Sequence, residues 1–66
     1  MVIHNRIKEL RAKHGLTQEA LAELTGVSRQ TIIALEQDKY LPSLALALSL
    51  GAALHATVEE IFIQGQ

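Results

Sequence analysis

The chain leaves only Gly26, Val27 and Ser28 between two stretches that each repeat apolar residues at helical spacing, and this short joint constrains the fold more than any other feature. Helices joined so briefly cannot lie side by side, so their axes must cross sharply. Gly26 supplies the left-handed residue that ends the first helix. Ser28 offers an oxygen to the free amides opening the second, and Val27 with Ile32 forms the apolar staple that fixes its entry angle. The same grammar occurs one helix earlier, where Gly15 stops, Thr17 caps, and Leu16 staples to Leu21. Ala22, one turn before Gly26, leaves room for the crossing helix to approach closely.

The remaining elements follow from periodicity and capping. Ile3, Ile7, Leu10 and His14 recur at helical spacing and predict a helix from about Asn5 to His14. The second helix is expected to run to Thr25 and the third to Asp38. Pro42 and Ser43 open a fourth, ending near Leu54. Its "LALALSL" alternates as a strand would, but leucine and alanine are strong helix formers and β-branched residues are absent there. Thr57 to Glu60 reads as a capping box for a short fifth helix. "MVIH" and "IFIQ" are rich in β-formers and are candidates to pair with each other. The expected class is all-α, a five-helix bundle, with a short antiparallel pair of terminal strands as its one open extension.

Composition narrows the class further. Sixty-six residues, 1–66, make one domain. A chain this short buries only about 60% of its unfolded surface, so extra burial from a partner is expected. Without cysteine there is no disulfide frame and no Cys-based zinc site, which suits a reducing cytoplasm. No signal-peptide pattern opens the sequence. Leu41 to Val58 carries no Asp, Glu, Lys or Arg, but its strongly apolar part, Leu44 to Leu54, is well short of the roughly 20 residues that span a bilayer. A buried helix is the better reading, and no membrane association is expected. Net charge is −1, yet Arg6, Lys8, Arg11 and Lys13 crowd the first fourteen residues against Glu9 alone, which predicts an electrically lopsided molecule.

Gln18, Ala22, Gly26 and Ile32, with leucines at 21, 24 and 35, resemble the helix-turn-helix of the Cro/C1-type, or xenobiotic-response-element, family of bacterial and phage regulators. "NRIKELRAKHGLTQEALAELTGVSRQTI" and the later "KYLPSLALAL" follow that family's order of helices. The short length with apolar ends resembles the compact cytolysin-repressor type. The resemblance implies a lambda-repressor-like DNA-binding domain, its helix-turn-helix at about 17–38, with double-stranded DNA as partner and no cofactor.

A helical wheel of the third helix puts Ile32, Leu35 and Glu36 on one face, with Gln30, Ile33, Ala34 and Gln37 opposite and Arg29 at the edge. That outward face carries no acid. In a helix-turn-helix it enters the major groove, where Arg grips guanine O6 and N7 and Gln pairs with adenine N6 and N7. Arg29 and Gln30 are therefore the expected base readers, with Ser28 and Thr31 adding base or phosphate bonds and Ile33 or Ala34 touching a thymine methyl. The resemblance also implies phosphate contacts from Gln18, Thr17, Lys39 and Tyr40, which set affinity and register but carry no sequence information. It pairs Arg11 with Glu36, and a carboxylate on the core side of its helix does need a cation. The chain departs from the family at Gln37, Asp38 and Leu41, where Asn-Gly and Asn are usual, and at Ala45, Ser49 and Ala52, where charges are usual.

Other chemistries find no support. His4, His14 and His55 are not spaced as a helical or turn pair, so no metal site is expected. Ser28 and Ser43 have no histidine at motif spacing and there is no Gly-rich phosphate loop, so no enzyme is expected. The predicted function is a homodimeric, sequence-specific regulator that reads a pseudo-palindromic operator, a repressor acting in the cytoplasm on the nucleoid. Leu50, Leu54, Val58, Ile61 and Phe62 are expected to form the dimer interface. The rival reading is an antitoxin or other interaction module whose apolar C-terminal helices mask a second protein.

Overall fold

A computed structural model describes residues 2–39 and 41–65. It contains β1 (Val2–Asn5), α1 (Ile7–Lys13), α2 (Gln18–Thr25), α3 (Arg29–Glu36), α4 (Leu44–Leu54), α5 (Val58–Ile61) and β2 (Phe62–Gly65). Four helices open in one way. The side-chain oxygens of Thr17, Ser28, Ser43 and Thr57 accept the amides of Ala20, Thr31, Leu46 and Glu60, each an otherwise orphaned donor. Thr57 and Glu60 complete a reciprocal capping box.

Four helix ends are alike as well. After α1, α2, α3 and α4 the amides of Leu16, Val27, Lys39 and Ala56 reach back to the carbonyls of Arg11, Ala22, Ala34 and Gly51. Each time the preceding residue is left-handed: Gly15, Gly26, Asp38 and His55. This is the six-to-one closure of the Schellman motif. At Gly26 φ is 74°, and the backbone turns there without the penalty an L side chain would bring.

The core is continuous through the helices. Ile7, Leu21, Ile32, Leu35, Leu50, Leu54 and Ile61 are fully buried, and the staple residues Leu16 and Val27 pack against them. Ala22, one turn before Gly26 on α2, is buried in the core cluster. β1 and β2 pair antiparallel, with Ile3 opposite Gln64 and Asn5 opposite Phe62. Arg6 donates its amide to the Ile61 carbonyl at 2.8 Å, carrying the ladder to the end of α5. No helix among the described residues is long and apolar enough to cross a membrane.

Two expectations need correction. Ile3 belongs to β1 and not to the stripe of α1, because pairing with β2 satisfies backbone groups that a frayed helix end would leave open. Leu50, Leu54 and Ile61 were expected at a dimer interface but are 0% exposed within the chain's own core, so they have no surface to offer a second subunit. Val58 and Phe62 remain half-buried and line an apolar groove with Leu41 and Leu44. Among the described residues, the large apolar side chains left in solvent are Leu24, Leu41, Leu44, Leu48 and Ile63, with Leu44 the most open of these at 72%.

Candidate nucleic-acid interface

α3 is built to hold one face rigid and present the other. Ile32 and Leu35 are buried behind it, while Ser28, Arg29, Gln30 and Gln37 are exposed and Thr31, Ile33 and Ala34 are half-buried. The first turn of α3 contains no acid, so no carboxylate of that turn opposes the positive end of its dipole. α2 differs, because Glu19 lies in its first turn.

Hydrogen bonding within the chain already engages several of these side chains. Ser28 Oγ accepts the Thr31 amide at 3.2 Å and lies 3.0 Å from Thr31 Oγ1. Thr17 Oγ1 accepts the Ala20 amide at 3.0 Å, leaving its hydroxyl proton to donate elsewhere. Half-buried Gln18 donates from Nε2 to Glu36 Oε1 at 3.0 Å. A carboxamide nitrogen carries two protons, so one remains for a phosphate. Lys39 is exposed just beyond α3. Tyr40 lies outside the described residues.

Behind α3 sits an ion pair. Arg11 Nε donates to Glu36 Oε2 at 2.9 Å, and the two side chains are only 16% and 7% exposed. Arg11 also donates through a terminal nitrogen to the Leu16 carbonyl at 2.9 Å. Glu36 thus receives Arg11 on one oxygen and Gln18 on the other, tying α1, the start of α2 and the end of α3 together. Arg6 is paired with Glu9, whose guanidinium partner holds its carboxyl below the usual carboxylate range. Two of the four cations in the first fourteen residues therefore have carboxylate partners. The remaining pair, Lys8 and Lys13, is exposed, so the predicted charge asymmetry is weaker than the raw count.

One positioning residue was missed by the sequence reading. Asn5 donates from Nδ2 to the Leu35 carbonyl at 2.6 Å and to Asp38 Oδ1 at 2.8 Å, while its Oδ1 accepts the Ile7 amide at 3.1 Å. It therefore closes an Asx turn onto the first amide of α1 and clamps the end of α3 at once. An Asn just before a helix is a local signal for the first role; nothing local announces the second. Asp38, left-handed at φ 57°, is held by this bond and lies 3.5 Å from His4 Nδ1.

A family profile described as helix-turn-helix (HTH_3) matches residues 7–61. An HTH-type transcriptional regulator of Archaeoglobus fulgidus is 49% identical over 61 residues, covering 92% of this chain and 87% of that protein. The immunity repressor of Bacillus phage phi105 is 38% identical over 61 residues, covering 92% of this chain but 42% of the phage protein. Among solved structures, the restriction-modification controller protein C.AhdI of Aeromonas hydrophila superposes with a TM-score of 0.77 at 38% identity, over 83% of each chain. A helix with an exposed, acid-free first turn, braced across a left-handed glycine corner, together with these matches, leads to one assignment: the chain belongs to the Cro/C1-type helix-turn-helix family of DNA-binding transcriptional regulators.

Proposed function

We propose that the protein is a repressor that binds a pseudo-palindromic operator as a homodimer, with one α3 in each of two successive major grooves about 34 Å apart. The observation that carries this reading is the exposure of Arg29 and Gln30 at the start of a helix whose rear residues, Ile32 and Leu35, are locked in the core. Arg29 and Gln30 read base edges. Ile33 or Ala34 meets a thymine methyl, and Thr17, Gln18, Ser28, Thr31, Lys39 and Tyr40 hold the backbone. Repression is supported by the resemblance to the phage immunity repressor. The dimer forms through the outer face of α4 and the segment leading into it, where Leu41, Leu44 and Leu48 are 61%, 72% and 58% exposed beside the groove of Val58 and Phe62. A contiguous apolar surface of this kind is one that a small domain covers with a partner.

Selection of bound duplexes from a random pool tests the assignment. Arg29→Ala is expected to relax preference at one base pair by about 1–3 kcal/mol, whereas Lys39→Ala weakens all sequences alike and lowers the salt slope by about one. An unchanged consensus with Arg29→Ala would refute the assigned base readers. The same exposed leucines would suit a second reading, an antitoxin-like module that covers a different protein. A monomer that binds its operator at full affinity would favour that reading over the homodimer.

A further inference from the structure

We propose that His14 and His55 form a two-imidazole site for a divalent transition-metal ion, with zinc as the best fit. The fold brings together two residues that are far apart in sequence. His14 ends α1 and His55 follows α4, and their ring centroids stand 5.2 Å apart with the planes at 52°. A zinc–nitrogen bond of about 2.05 Å plus roughly 1.15 Å from nitrogen to ring centre puts each centroid about 3.2 Å from the ion, so two rings at a tetrahedral angle stand about 5.2 Å apart. At the right angle of a square-planar ion they would be only about 4.5 Å apart. The observed centroid separation equals the tetrahedral value, the spacing two rings have when one nitrogen of each is turned to a shared ion.

Three further observations agree. Both imidazoles are exposed and lie at the carboxyl ends of helices, where the partial negative charge of the last carbonyls favours a cation. Of the three histidines, only His4 has a hydrogen-bond partner among the described residues, so the other two rings have nitrogens to give. His55 also occupies a left-handed position, φ 53°, that glycine fills after α1 and α2. At the equivalent position after α3, Asp38 uses its side chain to hold Asn5. His55 has its ring against His14. No group of three potential ligands stands together among the described residues, so the protein supplies two positions and water the others.

The test is a titration of the DNA-free protein with zinc chloride, followed through the ring carbon–proton signals of each histidine by NMR. The rings of His14 and His55 are expected to shift together and saturate at one equivalent, with His4 unmoved. His14→Gln and His55→Asn should each weaken binding at least tenfold, and His4→Gln should not. Asparagine tolerates the left-handed turn, so circular dichroism should remain that of the wild type. Weakening of less than tenfold in either variant, or three rings titrating alike in the wild-type protein, would overturn the proposal. The wild-type titration decides the matter even where a variant unfolds.

Discussion

Removing Arg11 should expose how much of the fold rests on one ion pair. Arg11→Ala strips Glu36 Oε2 of its partner while the carboxylate stays 7% exposed, and it also orphans the Leu16 carbonyl. Breaking a buried pair by deleting one member costs about 3–5 kcal/mol. Gln18 still donates to the other carboxylate oxygen, which places the expected loss near the lower end, about 3 kcal/mol. A domain of this size has a total stability of about 3–10 kcal/mol. The variant should therefore lose about 30% or more of it. At about 4–8 °C per kcal/mol, the melting temperature should fall by about 12–24 °C. Thermal and urea denaturation followed by circular dichroism measure both quantities. The double variant Arg11→Ala with Glu36→Gln removes the stranded charge, so it should lose at least about 1 kcal/mol less than the two single losses added together. A melting temperature within about 3 °C of the wild type for Arg11→Ala, or strict additivity in the cycle, would refute the reasoning.

Asn5→Ala should destabilise the protein by about 2 kcal/mol, since it removes the acceptor for the Ile7 amide and the donor to a part-buried carbonyl. It should also weaken operator binding by loosening the end of α3; unchanged urea midpoint and affinity would count against the clamp. Glu60 is held below the usual carboxylate range, first by the Thr57 amide it accepts at 2.8 Å. Because its folded pKa is depressed, its contribution is present at neutral pH and fades as the pH falls through and below that range. The gap in melting temperature between wild type and Glu60→Gln should accordingly narrow on acidification, and an equal gap at pH 7 and pH 3 would contradict this. Leu44→Glu combined with Leu48→Glu places charge on the outer face of α4. Sedimentation equilibrium should then show dimer dissociation strengthened at least tenfold with helicity retained, and an intact dimer would move the interface elsewhere.

Local grammar was legible in the sequence, and long-range placement was not. The caps at Thr17, Ser28, Ser43 and Thr57 and the left-handed Gly15 and Gly26 lie where the sequence places them, because each depends on residues within one turn. α4 was harder. With leucine or alanine at nearly every position its periodic signal is almost flat, so nothing told Leu50 and Leu54, which are buried, from Leu44 and Leu48, which are not. The Asn5 clamp and the meeting of His14 with His55 join elements distant along the chain, and no spacing rule anticipates such encounters.

The pairing of Val2–Asn5 with Phe62–Gly65 has a consequence for the order of assembly. On a ribosome, α1 to α3 emerge together and can dock through short loops, whose closure is entropically cheap. β1 is made before these helices, yet it has nothing to pair with until Phe62–Gly65 has been synthesised. The third helix, α3, therefore takes shape early, and the latch that steadies its far end closes last.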